Sequence, residues 1–340
     1  MVRIWGKESW DKAMYMPKKL RGFIDLIRPF TLLAPLIGGI CGGLMGWVSV
    51  NPYPETPLPF LYINDHFPFI QYHKGFLVLL IGAATLVMLN GASNALNAVY
   101  DAEIDEINKP YRPIPSGIVT KDEARTIAWI LYPLVLFRAM FLDREEDASG
   151  YFGIFVLLIM LITIAYSTRP LRLKKRLWVS NITIAFARGL LGFVAAWSIF
   201  GNPFTSAVPW LIGSVMMIFL IGAITSKDFT DIMGDKIHGI RTLPVVYGVR
   251  KAAIFSGPFF VAPFGLVLLG LMAGVLKFAM FWLVLLAIWG AIIAILMQTV
   301  ATKEEKMFEN SFVWVNMYLI LLALQIFFCA TYVFDFEILG

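Results

Sequence analysis

Cysteine and histidine, the usual raw material of redox and zinc chemistry, are nearly missing: the 340 residues hold two and three of them. Cys41 and Cys329 both lie in apolar runs and have no CxxC partner. That spacing argues against a disulfide framework or a zinc site, and for two small buried hydrophobes. Charge is scarce as well, at 15% of residues, against roughly a quarter in soluble domains. With 59% apolar residues and a formal charge of only +5, an ordinary soluble domain and a nucleic-acid partner are both excluded. No tandem repeat and no low-complexity tract is visible. The N-terminal run MVRIWGKESWDKAMYMPKKLRG mixes bases with acids. It lacks a short apolar core before a small-residue cleavage site, so no signal peptide is predicted.

What the chain has in quantity is long apolar runs. Spanning a bilayer takes about 20 residues at a 1.5 Å rise each. Nine stretches qualify or nearly do, near 24–48, 75–99, 124–142, 151–167, 178–200, 207–226, 252–273, 276–299 and 311–334. The fourth is the shortest. Only a brief turn, Gly274 to Lys277, separates the seventh from the eighth, so a merged or re-entrant pair is the alternative there. Basic residues orient the set. With the N-terminus cytoplasmic, 23 of the 28 Lys and Arg fall on that side and 3 on the other, as the positive-inside rule requires. The expectation is an all-α integral membrane protein. It has a basic N-terminal segment, 1–22, and a single nine-helix domain, 23–340, with the C-terminus outside. The long outside connection from Asn51 to His73, rich in proline and aromatics, suits a cap lying at the interface.

Two stretches carry the chemistry. The first, NALNAVYDAEIDEINKPYRPIPSG, runs from Asn94 to Gly117 after an uncharged span. Asn97, Asp101 and Asp105 stand four apart, which stacks them on one helix face. Carboxylates at a helix C-terminus oppose the dipole unless a cation compensates. Lys109 and Arg112 follow at once. The second, Lys227 to Pro244, reads KDFTDIMGDKIHGIRTLP, with Asp228 one turn before Asp231 and Asp235 four further on. The topology puts both on one membrane face. Two acidic clusters beside many cations suit Mg²⁺ ions bridging a diphosphate, because Mg²⁺ takes one or two carboxylates and fills its shell with phosphate oxygens. Such ions neutralise charge as a carbon–oxygen bond breaks. Apolar helices alongside can take a hydrocarbon chain. An allylic cation would find aromatic faces at Tyr100, Tyr111 and Tyr166.

At these motifs the sequence resembles the UbiA superfamily of intramembrane prenyltransferases, whose first motif is of the N-D-x-x-D-x-x-x-D type and whose second is D-x-x-x-D. Here they read NAVYDAEID and DIMGD, and the runs IRPFTL and YSTRPLRLKK are also similar. The resemblance spreads from about residue 22 to 250. It implies nine helices around a central cavity, with motif loops capping the cytoplasmic side. It further implies Mg²⁺-dependent transfer of a polyprenyl group from a prenyl diphosphate to a lipophilic acceptor at the membrane. By this resemblance Asn97, Asp101, Asp231 and Asp235 are metal ligands, with Asp105 and Asp228 as helpers. Arg28, Lys109, Arg112 and Lys227 face diphosphate oxygens, and Tyr166 and Ser167 line the diphosphate pocket. Asp101, Asp231 and Tyr166 are the catalytic candidates. Ala98 departs from the pattern, where many members have Asp.

Arg28 has a rival reading as a snorkelling charge. Lys174, Lys175 and Arg176 read as topology or headgroup contacts, and His238 as a loop residue. Arg188, some three turns into a span, reads as an acceptor or phosphate contact, because a charge there is costly. The motif details look closest to the branch of digeranylgeranylglyceryl phosphate synthases and chlorophyll-type synthases, which makes a glycerol-phosphate ether lipid the acceptor, with an aromatic quinone precursor the other candidate. Two other classes compete. A cation-coupled transporter should hold its polar groups near mid-bilayer on interrupted helices. A CDP-alcohol phosphotransferase should carry one continuous D-G-x-x-A-R…D-x-x-x-D run, which is missing.

Overall fold

The computed structural model describes residues 17–51, 61–64, 67–72, 74–145, 147–302 and 312–334. Most of the basic segment 1–22, much of the Asn51–His73 connection, the basic pair Lys303 and Lys306 and the C-terminal end lie outside the described residues.

The chain opens on α1 (Lys18–Leu26), whose boundary crosses residue 22. A short 3₁₀ turn, Pro29–Leu32, leads into α2 (Leu33–Val50). Then come α3 (Lys74–Tyr100), the short α4 (Ala102–Asn108), α5 (Lys121–Leu142) and α6 (Phe152–Ser167). Next are α7 (Leu177–Ala185) and α8 (Leu191–Trp197), joined by a π-helical turn at Phe186–Leu190. The second half holds α9 (Val208–Asp228), the short α10 (Ile232–Ile237) and α11 (Leu243–Tyr247), then α12 (Val249–Ser256) and α13 (Ala262–Met272). A 3₁₀ stretch, Phe278–Leu285, runs into α14 (Leu286–Thr302), and α15 (Phe312–Phe334) closes the described chain. Among the described residues, the paired strands of this otherwise helical architecture form a hairpin in the connection between α2 and α3. There β1 (Leu61–Asn64) pairs antiparallel with β2 (Phe67–Tyr72), Leu61 opposite Tyr72 and Ile63 opposite Ile70.

Among the described residues, eight helices are long and apolar enough to cross a membrane. The expected fourth span is the 16-residue α6, too short for that class. The seventh and eighth expected spans are separate helices, Val249–Met272 and Phe278–Thr299, rather than a merged pair. Outward faces carry bare apolar side chains: Phe137, Met272 and Phe278 are 69%, 84% and 72% exposed. In water such a belt would drive association, whereas in hydrocarbon it costs nothing. The chain is an integral membrane protein.

Close helix packing comes from small residues, as is usual where lipid competes with side chains. On α2, a methyl at Gly42 would sit 2.6 Å from Ala196 Cβ, and one at Gly46 would strike the Trp197 carbonyl. Only glycine lets α2 and α8 approach this far. The core divides into two clusters. One is built on α3, α5, α6 and α8, and the other on α9 and α12 to α15. Each half contributes one long helix, α3 or α9, that ends in an acidic motif.

α3 has 27 residues, about 40 Å at 1.5 Å per residue. That exceeds a hydrocarbon core of about 30 Å, so its last turns stand at the membrane surface. α5 starts at a capping box: Glu123 N–H donates to Thr120 Oγ1 (3.2 Å) while Thr120 N–H donates to Glu123 Oε2 (3.0 Å).

Candidate active site

Both motifs are built alike. α3 stops at Tyr100, and Asp101 stands at φ −101°, ψ 3° before α4 resumes. α9 stops at Asp228, and Asp231 stands at φ −112°, ψ 2° before α10. This is the sparsely populated bridge region, where many active-site residues sit. The four-residue spacing survives the bend, since Asp105 N–H donates to Asp101 O (2.8 Å) and Asp235 N–H to Asp231 O (2.9 Å). A straight helix carrying Asn97, Asp101 and Asp105 in one stack is therefore not what forms. Asn97 lies partly exposed on the last turn of α3, and Asp101 departs from α-helical dihedrals between α3 and α4.

Asp105 is 4% exposed, and both its oxygens accept from Arg112 Nη1, at 2.8 and 2.9 Å. Arg112 is thus bound to its own motif and folds the loop that follows. Lys109 reaches across to the second motif, Nζ to Asp231 Oδ1 at 2.5 Å, and is 2% exposed. Sequence reasoning missed a further joint. Asn108 Nδ2 donates to Asp231 O (2.9 Å) and Asn108 Oδ1 accepts from Gly234 N–H (2.9 Å). A methyl at Gly234 would lie 2.5 Å from Asn108 Nδ2 and 2.9 Å from Ile104 O. One amide therefore clasps α4 to α10. Its signal was weak, a lone Asn inside INKPYRP.

Lys174 and Arg172 were also missed as site residues. The loop after α6 turns back through a cis Arg169–Pro170 bond, with Arg172 in a left-handed conformation at φ 36°. It brings Lys174 Nζ onto Asp101 Oδ1, with Arg172 Nη2 3.6 Å from the same oxygen and 2.9 Å from Tyr100 O. Lys174 is thus a buried partner of the first motif, not an outward headgroup contact. No local pattern revealed this, because the two residues are 73 positions apart.

Electrostatics ties the set together. Burial alone would raise the Asp101 carboxyl, but Lys174, Lys227 and Arg172 outweigh it and hold it below the usual carboxylate range. Burial also opposes ionisation of Asp231, and Lys109 and Lys227 again prevail, so it too is held low. Asp235 behaves differently. Burial, with the charges of Asp231 and Asp101, pushes it up to about 7 against the pull of Lys174 and Lys227. Asp101 and Asp235 act on one another, so the two motifs share one site.

Deeper in, Tyr166 OH lies 3.2 Å from Ser180 Oγ and within electrostatic reach of Asp101, Asp228 and Arg188. Ser167 Oγ and Asp228 Oδ2 are buried without a hydrogen-bond partner. Lys227 stands among Arg28, Lys109, Asp231 and Arg112. Arg28 is thus within electrostatic reach of Lys227. Arg188, on the π turn, is solvent-accessible although helices enclose it, and its Nη2 donates to Asn94 Oδ1 at 3.3 Å. Asn94 Nδ2 in turn donates to Ile27 O (2.8 Å) and Thr31 Oγ1 (3.0 Å), tying α3 to the entry of α2. His238 Nδ1 rests 2.9 Å from Gly234 O in the second-motif loop, and Tyr111 is 61% exposed.

The donor chemistry suits a hard divalent cation, since every candidate ligand is an oxygen and one carboxylate oxygen is buried without a partner. Among the described residues no three His, Cys, Asp or Glu converge as a metal cage. Mg²⁺ is typically held by one or two carboxylates with the rest of its shell filled by water and phosphate oxygens, and carboxylates set apart in this way fit that habit.

Comparison with known proteins agrees with this architecture. Over 311 residues the chain is 30% identical to digeranylgeranylglyceryl phosphate synthase of Methanosarcina mazei, covering 86% of this chain and 95% of that protein. It is 32% identical to the synthase of that name from Methanothermobacter thermautotrophicus, covering 53% of this chain and 60% of the relative. With the bacteriochlorophyll synthase 34 kDa chain of Chloroflexus aurantiacus, identity is 31% over 68% of this chain and 65% of the relative. The chain thus spans about three fifths to two thirds of the length of these last two. Among solved structures, a UbiA homolog from Archaeoglobus fulgidus bound to DMAPP and Mg²⁺ superposes with a TM-score of 0.66 at 19% identity, covering 92% of this chain and 99% of that one. The profile of the UbiA prenyltransferase family matches residues 60–320, well over half of the sequence, and the chain belongs to that family.

Proposed function

We propose that this protein is a Mg²⁺-dependent prenyltransferase that moves a polyprenyl group from an allylic prenyl diphosphate to a lipophilic acceptor within the membrane. The observation that carries the reading is the meeting of two acidic motifs, Asp101 with Asp231 and Asp235, inside one ring of Lys109, Lys174, Lys227 and Arg28. Such a ring holds more positive charge than its carboxylates neutralise only when an anion joins it. A diphosphate is that anion.

Asp101, Asp231 and Asp235, with Asn97 and Asp228 alongside, would hold Mg²⁺, which when bound would neutralise charge on the departing diphosphate. Asp105 supports the set through Arg112. Lys227, Lys109 and Arg28 orient the diphosphate oxygens, and Ser167 Oγ offers a donor that has no protein acceptor. The bond between the allylic carbon and the diphosphate oxygen breaks, and its electron pair leaves with the diphosphate. Tyr166, beside Ser180 and within reach of Asp101 and Asp228, offers an aromatic face that would stabilise the electron-poor carbon. The acceptor then forms the new bond to that carbon and passes its proton to the released diphosphate. The surrounding helices exclude water, which would otherwise trap the cation as an alcohol.

Similarity to synthases of archaeal ether lipids and of chlorophyll-type pigments supports a glycerol-phosphate ether lipid, such as geranylgeranylglyceryl phosphate, as the acceptor, with Arg188 contacting it. Family membership removes the basis for the transporter and CDP-alcohol phosphotransferase readings. The reading includes one domain from residue 23 onward, a cytoplasmic N-terminus and motif face, and an outside C-terminus. Purified protein, Mg²⁺ and labelled geranylgeranyl diphosphate, offered candidate acceptors, test it. Asp231→Ala should abolish transfer while the protein stays folded. Product formation that needs neither Mg²⁺ nor Asp101 would refute the reading.

A further inference from the structure

The loop that carries Lys174 and Arg172 into the site has a second face. Behind it opens a cavity of about 650 Å³ lined by Arg169, Pro170, Leu171, Arg172, Lys175 and Arg176. Four of its six lining residues are cations. The other loop cations near the motifs are paired, Lys174 with Asp101, Lys109 with Asp231 and Arg112 with Asp105. Among the described residues no carboxylate pairs with Arg169, Lys175 or Arg176. Arg172 is 8% exposed, and its Nε is buried with no hydrogen-bond acceptor. Burial and three cationic neighbours, Arg172, Arg169 and Lys174, hold the Lys175 ammonium below its usual range. Among the described residues, of the four cavity cations only Arg172 has a carboxylate near it, Asp101 at 3.6 Å, and the uncompensated positive charge of the other three attracts an anion.

We propose that this cavity is a binding site, separate from the two acidic motifs, for a phosphate-ester anion, and that its occupant is the headgroup of an anionic membrane phospholipid. Three observations favour a lipid over a soluble phosphate. The loop leads directly into the membrane-crossing segment Leu177–Trp197, so the cavity opens at the bilayer surface. Leu171, in the cavity wall, is 52% exposed. Arg176 is the N-cap of α7, and Val179 and Ile182, at three-residue steps beyond it on the same helix face, are each 44% exposed. A headgroup at Arg176 therefore leaves its acyl chain against an apolar stripe.

The site is wired to both motifs. Arg172 spans from the cavity to Asp101 and Tyr100 O. On the other side Arg241 N–H donates to Lys175 O (3.2 Å), joining the loop to the segment after the second motif. A headgroup that takes up Arg172 Nε fixes the guanidinium whose Nη2 faces Asp101, so bound lipid orders the first motif.

The test uses the full-length protein in nanodiscs of phosphatidylcholine doped with phosphatidylglycerol, with retained lipid counted by native mass spectrometry. The expected result is selective retention of phosphatidylglycerol, weakened about five-fold for each cation removed in Arg169→Gln and Arg176→Gln. The charge-keeping pair Arg169→Lys and Arg176→Lys should retain most of the preference, which separates charge loss from misfolding. Equal retention of both lipids, or a preference unchanged in the double glutamine variant, overturns the proposal. Displacement of the lipid by millimolar glycerol phosphate or inorganic phosphate as readily as by lipid overturns the lipid assignment in favour of a soluble phosphate ester.

Discussion

Replacing Asn108 with alanine should cripple transfer far more than it unfolds the protein. The side chain makes two bonds across the site, to Asp231 O and from Gly234 N–H, both 2.9 Å. Each is worth about 0.5–1.5 kcal/mol net, so their loss removes about 2 kcal/mol of coupling between α4 and α10. If that energy is what holds Asp231 and Asp235 opposite Asp101, its loss is felt as about a thirty-fold drop in turnover, since about 1.4 kcal/mol is one factor of ten. The assay is the initial rate of diphosphate release at several Mg²⁺ concentrations, beside a thermal melt in detergent. Asn108→Asp keeps an acceptor for Gly234 N–H but loses the donor to Asp231 O, so it should fall between wild type and alanine. Gly234→Ala pushes the helices apart from the other side and should resemble Asn108→Ala. Turnover within two-fold of wild type in both Asn108→Ala and Gly234→Ala, with normal Mg²⁺ dependence, would refute the idea that this clasp aligns the motifs.

Asp235 gives a pH signature. Its folded value of about 7 lies above the ordinary 3.8, so between those values the folded state binds more protons than the unfolded one. Stability must then fall as pH rises toward and through 7. The metal-free protein should melt lower at pH 8 than at pH 5.5, Mg²⁺ should restore more at pH 8, and Asp235→Asn should flatten the trend. Lys174→Gln leaves Asp101, 6% exposed, without its nearest cation, a loss of about 3–5 kcal/mol for a broken buried pair. The melting temperature should drop sharply without metal and recover in part with Mg²⁺; an equal drop in both conditions would mean Asp101 does not face the metal. Gly46→Ala drives a methyl into the Trp197 carbonyl and should cost about 1–3 kcal/mol, read as a lower melting temperature with the kinetics of the surviving folded fraction unchanged.

The membrane helices were legible because hydropathy over about 20 residues is a local property, and α6 was the one stretch whose length left it in doubt. The acidic pairs were legible for the same reason, since residues four apart on a helix must meet. Contacts that depend on the path of the chain were hidden. Lys174 read as a surface charge because its sequence neighbours are basic and its partner is 73 positions away. Arg112 read as a diphosphate contact, yet it closes on Asp105 seven residues back. The bend at Asp101 was invisible to a periodicity argument, because the backbone hydrogen bonds continue through it.

The matching conformations of Asp101 and Asp231 have a consequence for the ligand. Each motif is a long apolar helix, an aspartate with ψ near zero, and a short helix carrying a second buried aspartate four residues on. No sequence repeat announces this, yet the two motifs repeat one local plan on either side of the Asn108 joint. A diphosphate is also two near-equal halves about one bridging oxygen. On the proposed function, two motifs of like backbone plan each present aspartates to one half of such a ligand, so the backbone plan alone does not set which end leads. The direction of transfer then rests on what is not duplicated, the prenyl tail and the groups on one side only, Tyr166 and Arg188.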